Sequence, residues 1–172
     1  FGFFIHAEAL VEALIARAYS HFMLVTFFAK AYVVGGQNDS PGIPYVNEPE
    51  KIAIKTYSRG TVQSVYDQIQ KDLEDGIKLL NGGKWSVPKY HFTYSSANAF
   101  AARFFLFKGD WDKVISHANE VFQNGDFTGN LRPEATTLKD QASEIRQTEY
   151  TKADKNYNLL LAHTYSIYQR QG

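Results

Sequence analysis

The chain has 172 residues, 44% of them hydrophobic, with 18 basic side chains against 18 acidic ones and no cysteine. That length suits one domain with a sizeable core, and a net charge of zero with no Lys/Arg run argues against nucleic acid as the main partner. The absence of cysteine excludes a disulfide scaffold, a thiolate zinc site and a cysteine nucleophile together.

From Ala7 to about Phe28 the apolar positions Ala7, Val11, Leu14, Ala18, Phe22 and Val25 recur at three- and four-residue steps, the period of an α-helix. Leu10, Ile15, Tyr19 and Met23 widen the stripe until the helix is apolar on most sides, which predicts packing on more than one face. Glu12, Arg17, His21 and Lys30 interrupt the apolar run from Ala9 to Val34. Each charge costs about 2.5–3.5 kcal/mol at mid-bilayer, so the stretch reads as a deeply buried helix of a soluble protein. Arg17, between Leu14 and Ala18, is then expected to be partly buried and tied to a carboxylate or to backbone carbonyls. The start at Phe1, with no methionine or basic leader ahead of this helix, reads as a piece cut from a longer chain.

Gly35-Gly36, Asn38-Asp39, Pro41-Gly42, Pro44 and Pro49 break the helical period over 34–58, a loop long enough to be functional or to dock on a partner. Asn38-Asp39-Ser40 matches the N-glycosylation triplet, which carries little weight in a bacterial protein. Thr61 is placed to cap a second helix, 61–80, along which Val62, Val65, Ile69, Leu73, Ile77 and Leu80 keep the period until Asn81-Gly82-Gly83 stops it. Its acidic cluster Asp72-Leu73-Glu74-Asp75 reads as a solvated face rather than as an acid/base pair.

A loop over 84–94 is dense in rings (Trp85, Tyr90, Phe92, Tyr94), after which Ser95 or Ser96 is the expected cap of a third helix to Lys108. Gly109 ends that helix, Asp110 caps a fourth, 111–123, and Asn124-Gly125 stops it. Beyond Asp126 the sequence is polar and weakly periodic. Leu159-Leu160-Leu161, with Thr164, Tyr165, Ile167 and Tyr168 after it, reads equally as a short strand or a helix start. In the 97–121 pair, Ala97, Ala101 and Ala102 allow close approach, and Phe105, Lys108-Gly109-Asp110-Trp111, Val114, Ala118 and Val121 complete an interlocking hairpin. This is similar to one tetratricopeptide repeat, without a second copy upstream. Trp111, at the repeat turn, is assigned to packing.

These segments in order resemble the SusD/RagB-like outer-membrane lipoproteins. Glu12-Ala13 with Arg17-Ala18-Tyr19 and Phe22 is similar to that family's first helix, and Gly42-Ile43-Pro44-Tyr45-Val46 to the loop after it. Arg59-Gly60-Thr61-Val62 with Val65-Tyr66, Ile69, Asp72-Leu73 and Ile77 is similar to its second helix, with Gly76 where alanine is customary. The resemblance runs from Glu8 to Val121. It implies an all-α fold of irregular tetratricopeptide-like helical repeats with long loops, a SusD-like helical-repeat region over 1–125 and a loop-rich continuation of the same domain over 126–172. It also implies non-catalytic binding of oligosaccharide or polysaccharide at the outer surface of Bacteroidetes, on a lipid-anchored protein that delivers it to a SusC-like TonB-dependent transporter. The expected chain is a fragment from the N-terminal half of such a protein. The alternative is a helical-repeat adaptor for a protein ligand, and an all-α carbohydrate-active enzyme comes third.

No catalytic or metal set stands out, so neither enzyme activity nor any cofactor or metal is expected. His6, His21, His91, His117 and His163 lack metal-ligand spacing, and His117 with Glu120 reads as a satisfied surface pair. No nucleophile elbow or phosphate-binding loop occurs, and no loop singles out a carboxylate pair for glycoside hydrolysis. The remaining candidates are flat loop rings on which the apolar C–H face of a sugar stacks: Trp85 and, in the proline-rich loop, Tyr45. Pinning their loops to the helices is the competing use of both rings.

Overall fold

The computed structural model describes residues 2–49, 51–52, 55–80, 85–122 and 125–161, with side chains from Leu10 onward. Among the described residues five α-helices follow in order: α1 Gly2–Phe28, α2 Val62–Leu79, α3 Tyr94–Lys108, α4 Trp111–Val121 and α5 Ser143–Tyr150. A single isolated bridge, Pro41 to Thr61, is the only β pairing among the described residues. The fold is all-α, as the periodicity predicts. The Asn81-Gly82-Gly83 stop, Asn124, and the run from Thr164 to Tyr168 with His163 lie outside the described residues, as does the side chain of His6.

α1 packs along α2, and α3 packs on both while pairing with α4. The core takes Val11, Ile15, Ala18, Phe22 and Val25 from α1, Val62, Val65, Tyr66, Ile69 and Leu73 from α2, and Ala97, Phe100, Ala101, Phe104 and Phe105 from α3. Ile43 and Phe92 enter it from the two loops. Many of the rings are spent here: Phe22 meets Phe104 edge-on with centroids 5.9 Å apart, and Tyr66 stacks on Phe104 at 5.6 Å. Burial pushes the Tyr66 hydroxyl pKa up to about 12.

α1 differs from expectation. Its stretch Leu10–Phe28 is long and apolar enough by length and composition to cross a membrane, with mean hydropathy 1.3, and only 33% of it is buried. Ile15 and Phe22 face the core, whereas Leu10, Leu24, Phe27 and Phe28 are exposed. A helix apolar on most sides implies several partners, but α2 and α3 cover one face.

The caps decide the helix boundaries. Thr61 accepts from the Ser64 N–H at 3.1 Å, fixing the start of α2. α3 begins two or three residues earlier than a cap at Ser95 or Ser96 would place it: Thr93 is its cap, and Ser96, buried, turns its hydroxyl back onto the Thr93 and His91 carbonyls. Gly109 closes α3 in the left-handed region at φ 77°, and a Cβ there would also sit 2.5 Å from Val34 Cγ2. Asp110 then caps α4 through the Lys113 N–H at 3.3 Å.

Residues 40–42 of the 29–61 loop are tied to the chain at 60–62. Gly42 N–H donates to the Gly60 carbonyl at 2.7 Å and Val62 N–H to Ser40 at 2.9 Å. A Cβ on Gly42 would meet the Thr61 carbonyl at 2.8 Å, so this close approach requires glycine. Asn38 stands at φ 50°, its amide bonded to the backbone of Val33 and Gly36, so the glycosylation triplet's asparagine is committed to its own turn. After α4 the chain holds a feature the weak periodicity does not signal, the helix α5. Arg132 lies over the rings of Tyr150 and Tyr157, and buried Asn158 donates to the Tyr150 and Lys152 carbonyls. Leu159–Leu161 forms neither strand nor helix: Leu160 packs on the core and Leu161 N–H donates to the Lys89 carbonyl at 2.7 Å.

Candidate functional site

Three blocks distant in sequence meet beside α1. Arg17 donates from Nε to Asp72 Oδ2 at 2.5 Å and from Nη2 to Oδ1 at 2.7 Å, a bidentate pair, while Nη1 reaches the Asn47 carbonyl at 2.8 Å. Tyr45 hydroxyl donates to the same Asp72 Oδ2 at 2.6 Å. The hydrogen bond to Asp72 holds the Arg17 pKa above its ordinary value, and burial followed by the hydrogen bond to Asp72 raises that of Tyr45. Arg17 is therefore partly buried and carboxylate-bound, as its place in α1 predicts. Asp72 is a correction: it is buried, not part of a solvated face. Its neighbour Glu74 is also engaged. Burial alone would raise the Glu74 pKa, but hydrogen bonds from Lys113 and Gln70 outweigh it and leave the value lowered. Only Asp75 of the cluster keeps to the surface, with Lys71 and Lys78.

Tyr45 is positioned by its hydroxyl and by one face of its ring. Its face stacks on His21 with centroids 4.0 Å apart and 24° between planes. His21, buried, donates from Nδ1 to the Arg17 carbonyl at 2.8 Å and accepts the Val46 N–H on Nε2 at 3.0 Å, which fixes the neutral Nδ1–H tautomer. Tyr45 thus ties the proline-rich loop to α1 and α2 while remaining half-buried.

Trp85 stands on the second loop, half-buried and stacked on His91 with centroids 4.1 Å apart and planes 9° from parallel. His91 Nδ1 bonds Glu12 Oε1 of α1 at 2.9 Å, and the Phe92 N–H reaches the same oxygen at 3.3 Å. The indole is consequently held on a base anchored in α1. The structure does not bring Trp85 and Tyr45 together through any shared contact among the described residues.

Trp111 was not expected at the surface. It is 60% exposed and lines a shallow cavity of about 400 Å³ with Tyr32, Lys108, Gly109, Asp110 and Asp112. A tryptophan at a repeat turn reads as packing from sequence; the observable hint is only that charged residues flank it on both sides. His117 does not pair with Glu120. It bonds Asn98 Oδ1 at 2.8 Å and stacks on Phe105, and Glu120 accepts from Tyr94. Among the described residues no three His, Asp or Glu side chains gather into a metal set.

A family model for SusD-like proteins, described as starch-binding and associating with the outer membrane, matches residues 6–106. A SusD superfamily protein from Bacteroides thetaiotaomicron is similar at 26% identity and TM-score 0.57, over 71% of this chain and 25% of that one. One from Bacteroides fragilis is similar at 26% identity and TM-score 0.56, over 77% of this chain and 29% of that one. A SusD-like carbohydrate binding protein from Bacteroides vulgatus shares the fold at 16% identity and TM-score 0.65, over 90% of this chain and 30% of that one. The chain spans about a quarter to a third of the length of these structures. A search of curated proteins finds no match.

Proposed function

The chain belongs to the SusD-like family, and on that premise we propose that it binds oligosaccharide without cleaving it. In this reading it works at the outward face of a bacterial outer membrane, held by a lipid anchor, and passes its ligand to a SusC-like TonB-dependent transporter. The observation that carries the reading is the family match over residues 6–106. Its geometric counterpart is the Arg17–Asp72–Tyr45 knot, in which the first helix, the loop after it and the second helix, all similar to the family's segments, are bonded to one another.

The non-catalytic part is supported by the state of the carboxylates. Asp72 is consumed by Arg17 and Tyr45, and Glu74 by Lys113 and Gln70, so neither is poised as a general acid across a cleft. The ring contacts are proposed at Trp85 first and Tyr45 second, because each ring gives one face to a histidine but Tyr45 also spends its hydroxyl on Asp72. A protein partner is supported by the exposed apolar residues Leu24, Phe27 and Phe28 at the end of α1, with Val33 and Val34 after them.

Affinity electrophoresis through gels carrying starch and other plant, host and microbial polysaccharides, with a reducing-end assay alongside, tests the proposal. Retardation by at least one polymer is expected, at micromolar to millimolar affinity given one or two stacked rings, with no reducing ends released. Released ends overturn the non-catalytic reading. Binding untouched by Trp85→Ala and Tyr45→Ala removes both rings from the site.

A further inference from the structure

The turn between α3 and α4, with Tyr32 of the 29–61 loop beside it, has the makings of a second contact for sugar, on residues other than Trp85 and Tyr45. Trp111, 60% exposed, opens α4 at a cavity of about 400 Å³, a size ordinary for small-molecule sites. The backbone that presents it is constrained. Gly109 is left-handed and crowded by Val34, and Asp110 caps the helix, so the backbone on the N-terminal side of the indole is fixed by its own geometry.

The cavity walls are polar and are themselves held. Lys108 Nζ donates to Gln70 Oε1 at 2.6 Å and sits 3.4 Å from Asp67 Oδ1. The Tyr32 hydroxyl donates to Gln63 at 3.2 Å, and its ring lies 4.5 Å from that of Tyr66. Asp110 and Asp112 add two carboxylates.

This mixture selects among ligand classes. An apolar peptide covering Trp111 would also strip water from Lys108, Asp110 and Asp112 without replacing their hydrogen bonds. An anion would face two carboxylates, with the one ammonium already engaged by Gln70 and Asp67. A neutral pyranose satisfies both demands, since its C–H face covers an indole while its equatorial hydroxyls donate to carboxylates. We propose that the Trp111 cavity is a saccharide subsite for a neutral sugar ring, additional to the loop rings; the inference rests on the carbohydrate-binding reading above.

The chain's two tryptophans make the test direct. Trp85→Phe leaves Trp111 as the sole indole, and Trp111→Phe leaves Trp85. The probes are maltoheptaose, cellohexaose, xylohexaose and mannohexaose, with trigalacturonate as the anionic control, followed by indole fluorescence and by calorimetry. A saturable blue shift of Trp111 emission in the Trp85→Phe protein is expected with at least one neutral probe and not with trigalacturonate. Trp111→Ala is expected to weaken calorimetric affinity for that probe roughly 3- to 10-fold, the worth of one ring contact. Binding heat in the wild type, with Trp111 emission unmoved and the affinity unchanged by Trp111→Ala, overturns the subsite and leaves the carbohydrate reading standing. Neither heat nor shift with any probe overturns both. A blue shift that follows protein concentration without sugar, with a dimer on sedimentation, assigns Trp111 to a protein contact and overturns the subsite.

Discussion

α1 with α2 forms a pair closed on its inner side, whereas α3 with α4 forms one that stays open along α4. α2 buries Val62, Val65, Tyr66, Ile69, Asp72, Leu73 and Gly76. α4 has apolar residues at similar helical spacing, yet it buries only Val121 and leaves Trp111 and Ile115 exposed. Periodicity identifies the apolar face of a helix in both cases; a covering neighbour decides whether that face becomes core. The closed pair is the scaffold, and the open pair and the two loops are where a ligand has surface to touch.

The closed pair is most vulnerable at Asp72. Asp72→Ala strands the Arg17 guanidinium, whose side chain is 28% exposed, and removes the acceptor of Tyr45. A loss of about 3 kcal/mol in urea unfolding is expected, the cost of breaking a largely buried pair from one side. A loss below about 1 kcal/mol, as for an exposed pair, would mean that the knot does not bind the three segments together. Gly76→Ala comes next. A Cβ there would stand 2.6 Å from Ile15 Cγ1, where α1 and α2 cross. Overpacking of this kind costs about 1–3 kcal/mol and outweighs the gain of roughly 1 kcal/mol in helix propensity. Stabilisation by this substitution would show the helices free to move apart.

A smaller effect is expected at His117, where α4 meets α3. Burial lowers its pKa below the usual 6.5, with Lys113 acting in the same direction against Glu74, Glu120 and Asp110. Between the folded value and 6.5 the unfolded chain binds a proton that the folded chain refuses, so stability falls as pH drops through that window. Thermal unfolding followed from pH 7.5 to 5 should show this decline, flattened in His117→Asn; an unchanged slope assigns it to other groups. The smallest effect belongs to the open face. Trp111→Ala and Ile115→Ser should each change stability by no more than about 0.5 kcal/mol, because neither side chain leaves water on folding to any great extent. A larger cost would show that α4 is covered after all.

Much of the scaffold is legible in the amino-acid order. The spacing of Val62, Val65, Ile69 and Leu73 and the cap at Thr61 place α2 within a residue of its observed ends, and Gly109 with Asp110 marks the α3–α4 turn. The need of Arg17 for a partner is equally readable, since a charge in an apolar helix must be met. Its identity is not, because Asp72 lies 55 residues away and only the packing of α1 on α2 brings it within reach. Thr93 displaces the serines as cap because helix starts are settled by a competition among adjacent hydroxyls that spacing cannot rank. Trp111 and α5 escape for opposite reasons. The first carries a hydrophobic side chain with no neighbour over it, and the second is a short polar helix whose fixing contacts, around Arg132 and Asn158, are tertiary. The candidate rings Trp85 and Tyr45 are visible as loop aromatics, but their stacking on His91 and His21 is a property of the fold alone.

Hydrogen–deuterium exchange across the chain, with and without a saturating neutral oligosaccharide, tests the division into scaffold and contact surface most directly. The expected result is added protection in the segments carrying Trp85 and the α3–α4 turn, with exchange in α1 and α2 unaltered. Protection concentrated in the α1–α2 pair would contradict the account, because the ligand would then be held by the helices that the account makes pure scaffold.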